Sequence, residues 1–181
     1  HLIRWLQRVP LGTPYPAVVE HLAKVAEAAK SWGSTTIVLD GTGVGAPVVD
    51  LMRRATSVPI RAIVFTAGDH ERADGHDVAR VPKRDLVSGL EVVLQERRLD
   101  VTPDCPLRAE LEAELKAFDY SITDRGHSLF SARRGHDDMV MALCLALHHA
   151  GHRTGADAYI DWVDREEAGL TPWSTGEATG R

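Results

Sequence analysis

Residues 35–52 read TTIVLDGTGVGAPVVDLM. Thr35 to Leu39 is a β-branched apolar run, typical of a strand buried on both faces of a sheet. Asp40 closes it, and the glycines that follow allow positive φ or a close backbone approach. A helix then runs from about Pro47 to Ala55, with proline in its first turn. A strand that passes through a tight turn into a helix is the repeating unit of a layered α/β fold. In such folds ligands collect beyond the carboxyl ends of the strands, where Asp40 stands.

Working outward toward the N-terminus, Ala17–Trp32 carries Val18, Leu22, Val25, Ala26 and Ala29 at helical steps and stops at Gly33. Before it, Pro10, Gly12, Pro14 and Pro16 enforce a turn, and His1–Val9 alternates well enough for a strand. In the other direction Ile60–Phe65 is a second buried-type strand. Residues 66–81 are polar and irregular, a surface hairpin or loop. A helix from Lys83 or Asp85 to Arg98 presents Leu86, Leu90, Val93 and Leu94; another covers Pro106–Phe118 through Leu107, Leu111 and Leu115. Tyr120–Ala132 reads as two short paired strands around Asp124, Arg125 and Gly126, and a nearly all-apolar helix starts at Asp138. Past His152 the chain turns polar, with a helical turn or two in Asp157–Glu167. The expected division is a domain over residues 1–151 and a polar tail over 152–181.

The chain has 181 residues, enough for one domain with a real core, and its 44% hydrophobic and 26% charged content is ordinary for a globular protein. The longest apolar run, Met139–Leu147, is about half what a membrane span requires. Two cysteines make no disulfide framework, so a reduced compartment is the default expectation. A net charge of −5 argues against indiscriminate coating of nucleic acid. It leaves room for local basic patches, Arg53–Arg54, Lys83–Arg84, Arg97–Arg98 and Arg133–Arg134, although each pair alone reads sooner as a solvated face than as a phosphate clamp.

The chemistry concentrates in HDDMVMALCLALHHAG, residues 136–151. Asp137 and Asp138 stand at the mouth of an apolar helix, and carboxylates facing a core cost several kcal/mol unless neutralised. A divalent cation such as Mg²⁺ neutralises them with hard oxygen ligands; a helix cap is the alternative, although one aspartate suffices for that. Asp138 lies on the stripe of Ala142 and Ala146, small residues expected to let the helix approach the sheet. That stripe makes Asp138 the carboxylate better placed to reach Asp40, with Asp137, about 100° around, as cap or support. Asp40 has its own alternative role, satisfying the backbone of its glycine-rich turn. A strand-end and a helix-start aspartate meeting at one sheet edge is how a two-metal phosphodiesterase is built.

Other candidates carry smaller claims. Gly41-Thr42-Gly43-Val44-Gly45 has neither dinucleotide-binding nor P-loop spacing. Lys83 could contact a phosphate, and His136 could orient a water beside the acidic pair. His70, His76 and Asp77 lack the cysteines of a zinc site, and His148, His149 and His152 suit a helix C-terminus.

The succession LQRVPLGTPYPAVVEHL, TTIVLDGTGVGAPVVDLM, VPKRDLVSGLEVVLQERRL and GHDDMVMALCLA resembles the nuclease domain of the large terminase subunit of tailed bacteriophages, over residues 1 to about 150. The resemblance implies a ribonuclease H-like fold, a mixed central sheet flanked by helices on both faces. It implies an Mg²⁺- or Mn²⁺-dependent endodeoxyribonuclease that cuts concatemeric double-stranded DNA with two ions, during packaging in the cytoplasm of an infected or lysogenic bacterial host. Of the family's three acidic positions the second matches Asp40 and the third Asp137 or Asp138. The first has no match, as if the chain opened at the second strand of a longer protein. No Walker A motif is present, so the packaging ATPase domain, like the small terminase subunit and the portal, is an implied partner. Lys83, Arg84, Arg133 and Arg134 are the expected DNA contacts. A non-catalytic docking module of the packaging motor and a Holliday-junction resolvase-like nuclease are the rival readings.

Overall fold

The computed structural model describes residues 1–43, 45–74, 77–122, 128–132 and 137–152, with the backbone alone at 45–46, 119–122, 128–132 and 152. The chain divides into two compact units, His1–Leu147 and His148–Arg181. Of the second, only 148–152, the last turn of a helix, falls among the described residues; the expected helical turns in 157–167 lie outside them.

The strands are β1 (Leu2–Ile3), β2 (Ile37–Asp40), β3 (Ile60–Thr66), β4 (Arg72–Ala73), β5 (Val78–Pro82), β6 (Asp100–Val101), β7 (Phe118–Ile122) and β8 (Ser128–Ala132). The α-helices are α1 (Tyr15–Ala29), α2 (Gly45–Ala55), α3 (Lys83–Gln95), α4 (Arg108–Ala117) and α5 (Asp138–His152). The main sheet has the order β2-β3-β5-β4. Strands β2, β3 and β5 are parallel, and β4 is antiparallel. Strands β1 and β6 form a parallel pair, β7 and β8 an antiparallel one.

Period-two alternation splits the sheet residues into two sets. Ile37, Leu39, Ile60, Ala62 and Val78 pack with Val19 of α1 and with Val49 and Met52 of α2. Val38, Ile63, Phe65, Ala79 and Val81 pack with Leu86, Leu90 and Val93 of α3 and with Val140, Met141 and Cys144 of α5. Helices therefore cover both faces, and the sheet lies between the two cores. Among the described residues no helix is long and apolar enough to cross a membrane.

Several expectations change. The opening strand is two residues long, and Leu2, Trp5 and Val9 are exposed. Its partner β6 is equally short, so among the described residues the alternation in Arg4–Val9 has no strand to pair with. Residues 66–81 are more than a polar excursion, because Val78–Pro82 is an interior strand of the main sheet with Ala79 and Val81 fully buried. Strand β2, expected to be buried on both faces, is half-buried and stands at the sheet edge among the described residues. In α3, Leu94 is exposed and Val87 takes its place in the core.

Cys144 sits fully buried in α5, and burial pushes its thiol up to about 12 against a weaker opposing pull from the Lys83 charge. An unfolded thiol titrates near about 8.5. The neutral thiol's contribution is thus complete below that pH and is lost as pH rises toward the folded value. Urea titrations between pH 8 and 11 should show stability falling less steeply in Cys144→Ala than in the wild type; equal slopes would contradict this burial.

Candidate active site

Asp40 alternates with Val38, so it belongs to the sheet face covered by α3 and α5, and it stands at that face's carboxyl edge. Its register partner Ile63 is on the same face and lies in the core beneath α5. The turn beyond Asp40 is tightly held. Gly41 donates its N–H to the Ile63 carbonyl at 2.9 Å. A Cβ at Gly41 would lie 3.4 Å from both Ala62 Cβ and Val64 Cγ2, in close van der Waals contact with β3. Thr42 donates its N–H to Asp40 Oδ1 at 2.8 Å, and its Oγ1 accepts the Phe65 N–H at 2.9 Å. The turn-satisfying role of Asp40 is real, but it occupies one carboxylate oxygen.

Lys83 follows Pro82, the register partner of Thr66 at the end of β3, and opens α3 at the same edge. Asp40 is level with Ile63 and Ala79, so Lys83 leaves the sheet two strands across, about 10 Å, and four residues further along β5. The Lys83 ammonium reaches across to α5: Nζ lies 3.7 Å from Asp137 Oδ2. Asp137 occupies the cap position of α5, its carbonyl accepting the Met141 N–H at 2.9 Å. Its half-buried carboxylate is turned toward Lys83, while the Met139 N–H is taken by Glu114 Oε2 of α4 at 3.1 Å. The Met139 N–H is thus capped by Glu114 rather than by Asp137.

Asp138 is placed differently from its expectation. Ala142 and Ala146 are exposed, whereas Val140, Met141, Cys144 and Leu145 are buried, so the small-residue stripe faces away from the sheet. Asp138 is 67% exposed and pairs with Arg8 at 2.9 Å. The helix thus turns Asp137, rather than Asp138, toward Lys83.

Arg84 is engaged locally. It donates to Asp69 Oδ1 and to the Asp69 carbonyl, both at 2.9 Å, and to Asp85 at 3.2 Å. These bonds raise its already high pKa, Asp85 first and Asp69 second, and tie the loop after β3 to α3. Arg133, Arg134, His76 and His136 lie outside the described residues, as do Asp124, Arg125 and Gly126. Arg8 and Glu114 were not legible as site residues, since their contact spans 106 positions of sequence.

As a donor set, Asp40 and Asp137 would offer two hard carboxylates, one from the end of β2 and one from the start of α5. That fits Mg²⁺ or Mn²⁺, which often bind one or two carboxylates and complete their shell with water and substrate phosphate. Among the described residues no group of three His, Cys, Asp or Glu side chains is gathered to hold an ion.

A mixed sheet with a parallel centre and helices on both faces agrees with a ribonuclease H-like architecture. The model of the terminase ribonuclease H-like domain matches residues 17–150, and this chain belongs to that family. Two solved structures share the fold. The large terminase nuclease from thermophilic phage G20c with bound cobalt is 24% identical, with TM-score 0.51 over 76% of this chain and 63% of that one. The same nuclease with bound magnesium is 23% identical, with TM-score 0.51 over 76% and 62%. The chain thus spans less than two thirds of the length of these relatives. No curated protein matches it.

Proposed function

We propose that this chain is the nuclease part of a viral genome-packaging terminase, a metal-dependent endonuclease that cuts concatemeric double-stranded DNA. What supports the reading is Asp40 at the carboxyl end of β2, on the face whose residues pack with α3 and α5, together with the Lys83–Asp137 pair that joins the starts of those two helices. Residues 1–151 form the nuclease region and 152–181 a tail; the site of action is the cytoplasm of the bacterial host. The packaging ATPase domain, the small terminase subunit and the portal are its partners.

Asp40 and Asp137 would hold Mg²⁺ or Mn²⁺, which, bound as a pair, supply an activated water and stabilise charge on the leaving oxygen. The turn bonds of Thr42 and Gly41 keep Asp40 from swinging when substrate arrives, so little is lost to reorganisation. Lys83 holds the Asp137 side chain toward the sheet and presents an ammonium to the phosphate entering the same edge. Water's oxygen bonds to phosphorus as the opposite phosphorus–oxygen bond breaks. Because backbone contacts carry little sequence information, such an enzyme cuts with weak base preference.

Addition of Mn²⁺ or Mg²⁺ at about 1 mM should raise the melting temperature by several degrees, as any ligand of the folded state does. Linear duplex should be cleaved in preference to a four-way junction. No thermal response to either ion would favour the docking module, and preference for the junction would favour a resolvase.

A further inference from the structure

Resting on the metal-site reading just given, we infer that Arg8 and Glu114 form a clamp that positions Asp137, with Asp138 serving the clamp rather than the metal. Among the described residues, contacts from α4, the N-terminal segment and α3 meet at the first turn of α5. Glu114 reaches from α4, its side chain only 10% exposed, and Oε2 accepts the Met139 N–H at 3.1 Å. Its other oxygen, Oε1, pairs with Arg8 Nη2. Arg8 turns its second nitrogen, Nη1, to Asp138 Oδ2 at 2.9 Å. Asp137, one residue earlier, pairs with Lys83 at 3.7 Å.

The two neighbouring aspartates are thereby held by different elements, Asp137 by Lys83 of α3 and Asp138 by Arg8 of the N-terminal segment. Rotation of the first turn of α5 about its axis would break one pair or the other, so the helix phase that aims Asp137 is fixed. A carboxylate is the right capping group here because the helix N-terminus carries partial positive charge. Glu114 is also a nearly buried charge, and Arg8 neutralises it. The segment that carries Arg8 runs beside this turn, lining an open cleft of ≈ 580 Å³ against Asp138, Met139 and Ala142. Partners that orient ligands in this way typically contribute roughly 10- to 100-fold to metal affinity.

The test measures Mn²⁺ affinity by isothermal titration in the full 181-residue chain, together with amide exchange at Met139 to Met141 in the metal-free protein. Arg8→Ala and Glu114→Gln should each weaken Mn²⁺ binding by about tenfold or more and speed that exchange, and the double variant should add little to either single one. Asp138→Asn should resemble Arg8→Ala, and Asp137→Asn should remove binding altogether. Arg8→Lys, which keeps the charge but loses the fork, should recover part of the affinity. If the wild type binds and the Arg8 and Glu114 variants bind as tightly, the clamp is wrong while the metal site stands. The clamp is equally wrong if Asp138→Asn abolishes binding while Arg8→Ala leaves it intact. A wild type that binds no Mn²⁺ removes the metal reading and the clamp's purpose together.

Discussion

Asp40→Asn should eliminate the Mn²⁺-induced rise in melting temperature and lower duplex cleavage by about 10³-fold, while leaving the metal-free melting temperature nearly unchanged. The amide oxygen of asparagine still accepts the Thr42 N–H that Asp40 Oδ1 accepts at 2.8 Å, so the turn and its link through Thr42 to Phe65 survive. What is lost is the negative charge that a hard divalent cation requires. Metal stabilisation of transition-state charge is worth several kcal/mol, and each step of about 1.4 kcal/mol is tenfold in rate, which sets the expected scale. Asp40→Ala removes the turn bond as well and should destabilise the metal-free protein by a further 0.5–1.5 kcal/mol, roughly the net worth of one hydrogen bond. The contrast between the two variants separates the two roles that an aspartate at a strand end can have. An Asp40→Asn protein that still responds to Mn²⁺ and cleaves at near wild-type rate would leave Asp40 as a turn residue only.

Much of this arrangement is legible in the sequence, for identifiable physical reasons. The strand ending in Asp40 and the strand Ile60–Thr66 are apolar, β-branched runs and the helices on both faces have regular periodicity, and the burial of Ile63, Leu86, Leu90 and Val140 follows from these patterns. Strand β5 is hidden because its five residues, one of them Arg80 and another a proline, sit inside a polar run. Only the pairing with β3 on one side and β4 on the other makes it a strand. The phase of α5 misleads for a different reason. In a helix apolar almost all round, the residues that face outward are the least apolar ones, and Asp138, Ala142 and Ala146 are that stripe. Small side chains suggest close approach to the sheet, yet burial of Val140, Met141, Cys144 and Leu145 removes far more apolar surface from water. Burial of the bulkier side chains decides the phase, and it turns Asp137 toward Lys83. The Arg8–Glu114 contact has no local signature, since neither residue stands in a motif and the pairing exists only once the segment that carries Arg8 is docked against α4.

The largest stability effect is expected at Ile63. Its side chain is fully buried in the core shared by β3, β5, α3 and α5. Its backbone is paired on both sides, with Asp40 of β2 and Ala79 of β5. Truncation to alanine removes three carbons and leaves a space that a strand held by neighbours on both sides cannot close, so the cost should fall in the range of about 2–5 kcal/mol. Ile63→Val should cost only about 0.5–1.5 kcal/mol. For a chain of this size a loss near 3 kcal/mol lowers the melting temperature by about 10 °C. Urea denaturation should show a lower midpoint at unchanged slope, since the folded and unfolded surfaces are otherwise the same. Metal affinity is the informative companion measurement. Gly41 N–H bonds to the Ile63 carbonyl rather than to its side chain, so the Asp40 turn keeps its anchor in the variant. Ile63→Ala protein, kept below its melting temperature, should therefore bind Mn²⁺ within a few-fold of the wild type. A stability loss below about 1 kcal/mol would mean that α5 settles onto the gap, and the helix shift this requires would appear as weaker Mn²⁺ binding through Asp137.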